Sequence, residues 1–129
     1  MAARHISKFI QVNGKDFPAP KRYPNFIVTT AVNGARNTSN KFVGQRIGRD
    51  NRKIDSLEWP HLDAATWSSM LQEFEKFLVT VRFWDMVTNN WITLTMYPGD
   101  RSADAFKYDE EGRVTEYLNC KVNIIDAGW

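Results

Sequence analysis

Asp63-Ala64-Ala65-Thr66-Trp67-Ser68-Ser69-Met70-Leu71-Gln72-Glu73-Phe74-Glu75-Lys76-Phe77-Leu78 is the stretch whose period decides how the rest is read. Trp67, Met70, Leu71, Phe74, Phe77 and Leu78 recur at i, i+3, i+4, i+7, i+10 and i+11, a single stripe of an amphipathic helix. Asp63 stands where its carboxylate would cap the first turn. Such a stripe needs a cover, and the flanking segments alternate apolar and polar residues as strands do. The pattern predicts an α+β fold, an antiparallel β-sandwich or half-barrel packed by one central amphipathic helix.

Upstream of the helix, residues 5–12 read as a strand and Asn13-Gly14 as a tight turn. Pro18, Pro20 and Pro24 make residues 17–24 an extended connector, and Asn25 to Val32 resumes β character. Asn33 to Lys41 holds no large apolar residue and predicts an exposed, flexible polar loop. Two strands follow, Phe42 to Asp50 and Arg52 to Trp59, with Pro60 as the stop. Downstream, residues 79–84 and 91–97 alternate about a turn at Asn89-Asn90, which sets Phe83 opposite Met96 and Val87 opposite Ile92. Residues 97–102 read as a loop, 109–112 as a turn, and Arg113 to Ile125 as the last strand.

A chain of 129 residues is the size of one domain, which would bury roughly two thirds of its unfolded surface. No apolar run approaches the ~20 residues that span a bilayer, so no membrane insertion is expected. Residues 1–5 do not form a signal peptide, which predicts synthesis and assembly in the cytoplasm. Charge is unevenly placed. Residues 1–60 carry 11 Lys or Arg against 4 Asp or Glu, and residues 61–129 carry 6 against 11. Separate basic and acidic regions attract a second copy head to tail.

Catalytic chemistry finds little support. His5 and His61 are the only histidines and Cys120 the only cysteine, so no cofactor, metal cage or disulfide is expected. Cys120 falls in phase with Leu118, Val122 and Ile124 and reads as a small core hydrophobe. No Gly-x-Ser-x-Gly elbow surrounds a serine, and Glu73 and Glu75 point to opposite sides of a helix. The chain is therefore read as a non-enzyme.

Two groups of residues remain as candidate surfaces. Arg36, Lys41, Arg46, Arg49 and Arg52 lie in or beside the polar loop and predict an assembly interface. Trp84, Trp91 and Tyr97 share the face opposite Phe83, Leu94 and Met96, and as an aromatic platform they would make a carbohydrate- or receptor-binding module, the alternative reading. A nucleic-acid surface is the third possibility for the arginines, although no aromatic residues interleave with them.

Several segments in order resemble a family of small structural proteins from the tail and baseplate modules of phages and prophages of Gram-positive bacteria. They are Val12-Asn13-Gly14-Lys15 with Pro18, Pro20 and Lys21; Arg36-Asn37; Leu57-Glu58-Trp59 with Leu62, Trp67 and Leu71; and Tyr97-Pro98-Gly99-Asp100-Arg101-Ser102 ahead of Tyr108 and Gly112. The resemblance implies a tail-tube-like fold and a structural part of a tail (tube, tube-end adaptor or baseplate hub) without enzymatic activity. It further implies self-assembly into a ring, commonly of six, around a channel for a tape measure and DNA. The polar loop would then reach a neighbouring copy and order on assembly.

Overall fold

Period-two patterning governs most of the chain in a computed structural model that describes residues 6–21 and 23–129. The elements in order are β1 (Ile6–Val12), β2 (Lys15–Pro18), β3 (Asn25–Thr29), β4 (Val32–Arg36), β5 (Phe42–Arg46), β6 (Asn51–Asp63), α1 (Ala64–Phe74), β7 (Val79–Asp85), β8 (Asn90–Tyr108) and β9 (Val114–Asp126). The expected strand start at His5 and the connector residue Arg22 lie outside the described residues. Seven strands form one antiparallel sheet in the order β2-β1-β7-β8-β9-β6-β3, and β4 and β5 form a separate two-stranded ribbon.

The α+β expectation is corrected here. The chain is mostly β, 63% strand and 9% helical, with one short helix in place of a central packing element. The physical reason lies at the helix end. Phe77 takes a left-handed conformation, φ 64°, which stops the helical run before the stripe is complete. Its ring then stacks on Tyr97 at 5.2 Å, while Phe77 and Leu78 remain 55% and 39% exposed. Trp67, Met70 and Phe74 are the buried residues of α1, and Asp63 caps it through Thr66 N at 3.2 Å.

Strands also run where turn signals predicted loops. Strand β8 passes straight through Pro98-Gly99, and the register against β9 shifts between Pro98 and Arg101. A bulge there absorbs a residue that lacks an N–H. Likewise β6 continues through Pro60 where, beyond residue 55, β3 no longer pairs with it. The β7–β8 connection is a four-residue turn, Met86 to Asn89, organised by Asp85, which accepts from Thr88 N at 3.0 Å and Thr88 Oγ1 at 2.9 Å. Phe83 consequently faces Ile92 rather than Met96, a slip of four residues that leaves the inward face unchanged.

The sheet curls until its two edges approach. Phe9 on β1 stacks on Phe26 of β3 at 5.9 Å, Phe17 on β2 packs edge-on to Trp59 of β6, and Trp59 Nε1 donates to Pro18 O at 2.9 Å. Lys21 N donates to Glu58 O at 2.6 Å, which carries the chain from one edge to the other. Within lie Ile10, Val12, Ile54, Leu57, Leu62, Val81, Phe83, Met96, Val122 and Ile124. Cys120 is buried among them, and burial pushes its thiol up to about 11, leaving it unreactive at neutral pH. No helix among the described residues is long and apolar enough to cross a membrane.

Strand direction gives the molecule two distinct ends. Asn51, the Met86–Asn89 turn, Asp126 and the root of the β4–β5 ribbon lie at one end. His61, Asp63 and the Asp109–Gly112 turn lie at the other.

Candidate functional site

The β4–β5 ribbon is built from a polar, glycine-containing sequence. Five pairs run from Val32 opposite Arg46 to Arg36 opposite Phe42. Gly34 faces Gly44 so closely that a Cβ on Gly34 would sit 2.6 Å from the Gly44 Cα, and the Phe42 ring lies over the pair. An aromatic ring thus fills the place of two missing side chains. At the tip, Asn37 Oδ1 accepts from Ser39 N at 2.9 Å and Lys41 N at 3.0 Å, and Asn40 takes φ 62°. The expected polar loop is thus partly strand, paired but exposed along its whole length.

Its surface chemistry is unusual for a free hairpin. Val32, Phe42, Val43 and Ile47 are 49% to 59% exposed. Residues 31–47 contain Arg36, Lys41 and Arg46 and no acidic residue. A lone two-stranded ribbon is marginally stable in water, and this one holds no buried residue of its own.

The five arginine and lysine candidates separate into three groups. Arg36 and Lys41 stand at the ribbon tip and form no ion pair among the described residues; Arg36 Nη1 donates to Asn40 O at 3.0 Å. Arg46 reaches back to Asp50 at 2.8 Å, and Thr30 Oγ1 donates to the same carboxylate at 2.6 Å. The Thr30 hydrogen bond, followed by the Arg46 charge, holds Asp50 below the ordinary carboxylate value despite some desolvation.

Arg49 and Arg52 turn inward. Arg49 grips Asp126 with two bonds, 2.6 and 2.7 Å, and also donates to Trp129 O at 2.9 Å. Arg52 Nε donates to Asp85 at 3.1 Å. The side chains of Asp85 and Asp126 are 1% and 0% exposed. Burial pushes both carboxyls up, but the guanidinium and amide donors outweigh it and both titrate below the usual range. Arg49 is correspondingly raised, chiefly by its bonds to Asp126. These two arginines tie the ribbon root to β7 and β9. Asp85 and Asp126 were missed as partners, yet each occupies the inward phase of an apolar alternation, after Val79, Val81, Phe83 and after Val122, Ile124. A charge in that phase signals a buried counterion.

The aromatic candidates do not form one platform. Trp84 and Trp91 are a cross-strand pair meeting edge to face at 5.3 Å, and the Arg82 guanidinium covers Trp91 at 4.2 Å. Tyr97 is six residues farther along β8, roughly 20 Å away. It stacks on Phe77 instead.

A groove between α1 and the middle of β8 escaped the sequence reading because its walls are far apart in the chain. A cavity of about 650 Å³ is lined by Leu71, Glu75, Asp100, Arg101 and Ser102. A second depression of about 280 Å³ shares Leu71 and Glu75 and adds Trp67 and Tyr117. Among the described residues no three His, Cys, Asp or Glu side chains are placed to hold a metal ion. No protein-family model matches the chain, and neither a curated protein nor a solved structure shows significant similarity to it.

Proposed function

We propose that this chain is a non-enzymatic building block of a phage or phage-derived tail, and that it assembles with further copies through the β4–β5 ribbon. The tail assignment rests on the resemblance of the sequence; the observation that supports assembly is a ribbon wholly exposed, partly apolar, basic and free of acids, on a molecule whose acidic residues lie mostly in the other half of the sequence. Association would cover the apolar side chains and supply the packing the ribbon lacks alone. In this reading the neighbours are a ring, six copies by the resemblance, and adjoining tail proteins including a tape measure, within a particle tail.

Arg36, Lys41 and Arg46 are the assigned contact cations, and Arg49 and Arg52 hold the ribbon at the angle it presents. Sedimentation velocity across a concentration series tests it. The expected result is association in the parent chain that Phe42→Asp with Val43→Asp abolishes while thermal unfolding stays intact. A doubly substituted chain that associates as the parent does overturns the proposal.

A further inference from the structure

We infer that the α1–β8 groove is the receptor for the β4–β5 ribbon of a second copy of this chain. The inference rests on the ribbon-mediated assembly just proposed and names the surface that the ribbon meets. Three properties of the groove match three properties of the ribbon.

The first is charge. Glu75 and Asp100 stand on the groove rim, and neither side chain has an ion pair or hydrogen bond among the described residues. Arg101, the one cation in the lining, donates to Gly99 O at 3.1 Å. Arg36 and Lys41 at the ribbon tip likewise have no carboxylate partner among the described residues. Two carboxylates and two cations on separate surfaces of one molecule, all exposed and without ion pairs among the described residues, are complementary between copies and steer one onto the other.

The second is apolar content. Leu71 lines both depressions, and Tyr117 with the edge of the buried Trp67 adds apolar surface in the smaller one. Val43 and Phe42 are the ribbon side chains of matching character. The third is shape. The larger cavity, about 650 Å³, falls within the roughly 300–1,000 Å³ of clefts that enclose ligands, whereas the ribbon projects as a convex two-stranded tip.

Donor and receptor are different patches. The ribbon springs from the Asn51 end, and the groove lies against the middle of β8. Where the contact is not reciprocated within a pair, each copy keeps a free ribbon or a free groove and growth continues until a ring closes, whereas a reciprocal pair, ribbon to groove in both directions, is closed already.

A charge exchange tests both surfaces at once. One variant carries Arg36→Glu with Lys41→Glu, the other Glu75→Lys with Asp100→Lys; all four positions are exposed, and unchanged unfolding midpoints verify the fold. Sedimentation velocity at about 50 mM salt, where screening is weak, is expected to show each variant associating about tenfold more weakly than the parent. Mixing the two restores association into species containing both variants in equal number. If the ribbon variant fails to associate while the groove variant behaves as the parent, the receptor assignment is overturned and ribbon-mediated assembly stands. If neither variant differs from the parent, or the parent stays monomeric at about 1 mM, where even weak pairing registers, both are overturned.

Discussion

Removing the Arg49 guanidinium by Arg49→Ala isolates the bond that holds the ribbon root to the sheet. Two charge-assisted hydrogen bonds to Asp126 are lost. Each is worth about 1.5–3 kcal/mol, and breaking a buried pair costs about 3–5 kcal/mol. Two features pull the figure to the lower end. The Arg49 side chain is 32% exposed, so water enters behind it, and Asp126 keeps the amides of Arg52 at 3.0 Å and Gly128 at 2.8 Å. The expected loss is about 3 kcal/mol at pH 7. With ~2.1 cal/mol/K per residue of unfolding entropy over 129 residues, that lowers Tm by about 11 °C.

The pH dependence carries the sharper signature. Asp126 titrates below its ordinary value in the folded chain, so its contribution is complete above the unfolded pKa and vanishes as pH falls through the folded one. Arg49→Ala takes away much of that depression. The gap between parent and variant in urea unfolding is therefore expected to narrow between pH 7 and about pH 3. Arg49→Met with Asp126→Leu removes both charges but also the acceptor of the Arg52 and Gly128 amides, so it is expected to recover only part of the loss. A difference under about 1 kcal/mol at pH 7, or one that is equal at both pH values, refutes the reasoning.

Two further substitutions probe other parts of the architecture. Trp59→Phe deletes the donor to Pro18 O inside the curled sheet and leaves that carbonyl unpaired, an expected cost of about 1–3 kcal/mol by chemical denaturation. Gly34→Val drives a side chain into the Gly44 backbone and is expected to speed hydrogen exchange of the ribbon amides at least tenfold while moving the global Tm by no more than about 2 °C, because the ribbon holds no core residue.

Local period was a sound guide where burial and pairing agreed with it. The alternation of Val79, Val81, Phe83 and of Cys120, Val122, Ile124 reads directly as an inward face, and these residues are buried. It misled where a local signal was overridden by pairing over a distance. Pro98-Gly99 carries turn chemistry, but β9 offers a ladder on which a bulge absorbs it. Phe77 fits a helical stripe, but Tyr97 offers a stacking partner that a left-handed residue reaches better. Among the arginines, spacing does not distinguish Arg36 and Lys41, which face solvent, from Arg49 and Arg52, whose partners are 77 and 33 residues away. The groove is invisible from sequence for the same reason, since Glu75 and Asp100 become neighbours only when α1 lies beside β8.

The anchoring of the ribbon through Arg49 to Asp126 has a mechanical consequence. Asp126 ends β9, which is hydrogen-bonded along its length to β8 on one side and β6 on the other. A tug on the protruding tip therefore reaches not only the edge strand β3 and its neighbour β6 through the backbone but also the interior strand β9 through the Arg49–Asp126 bonds, so the load does not fall on the edge alone. An arm rooted in this way bears tension while the body behind it keeps its shape.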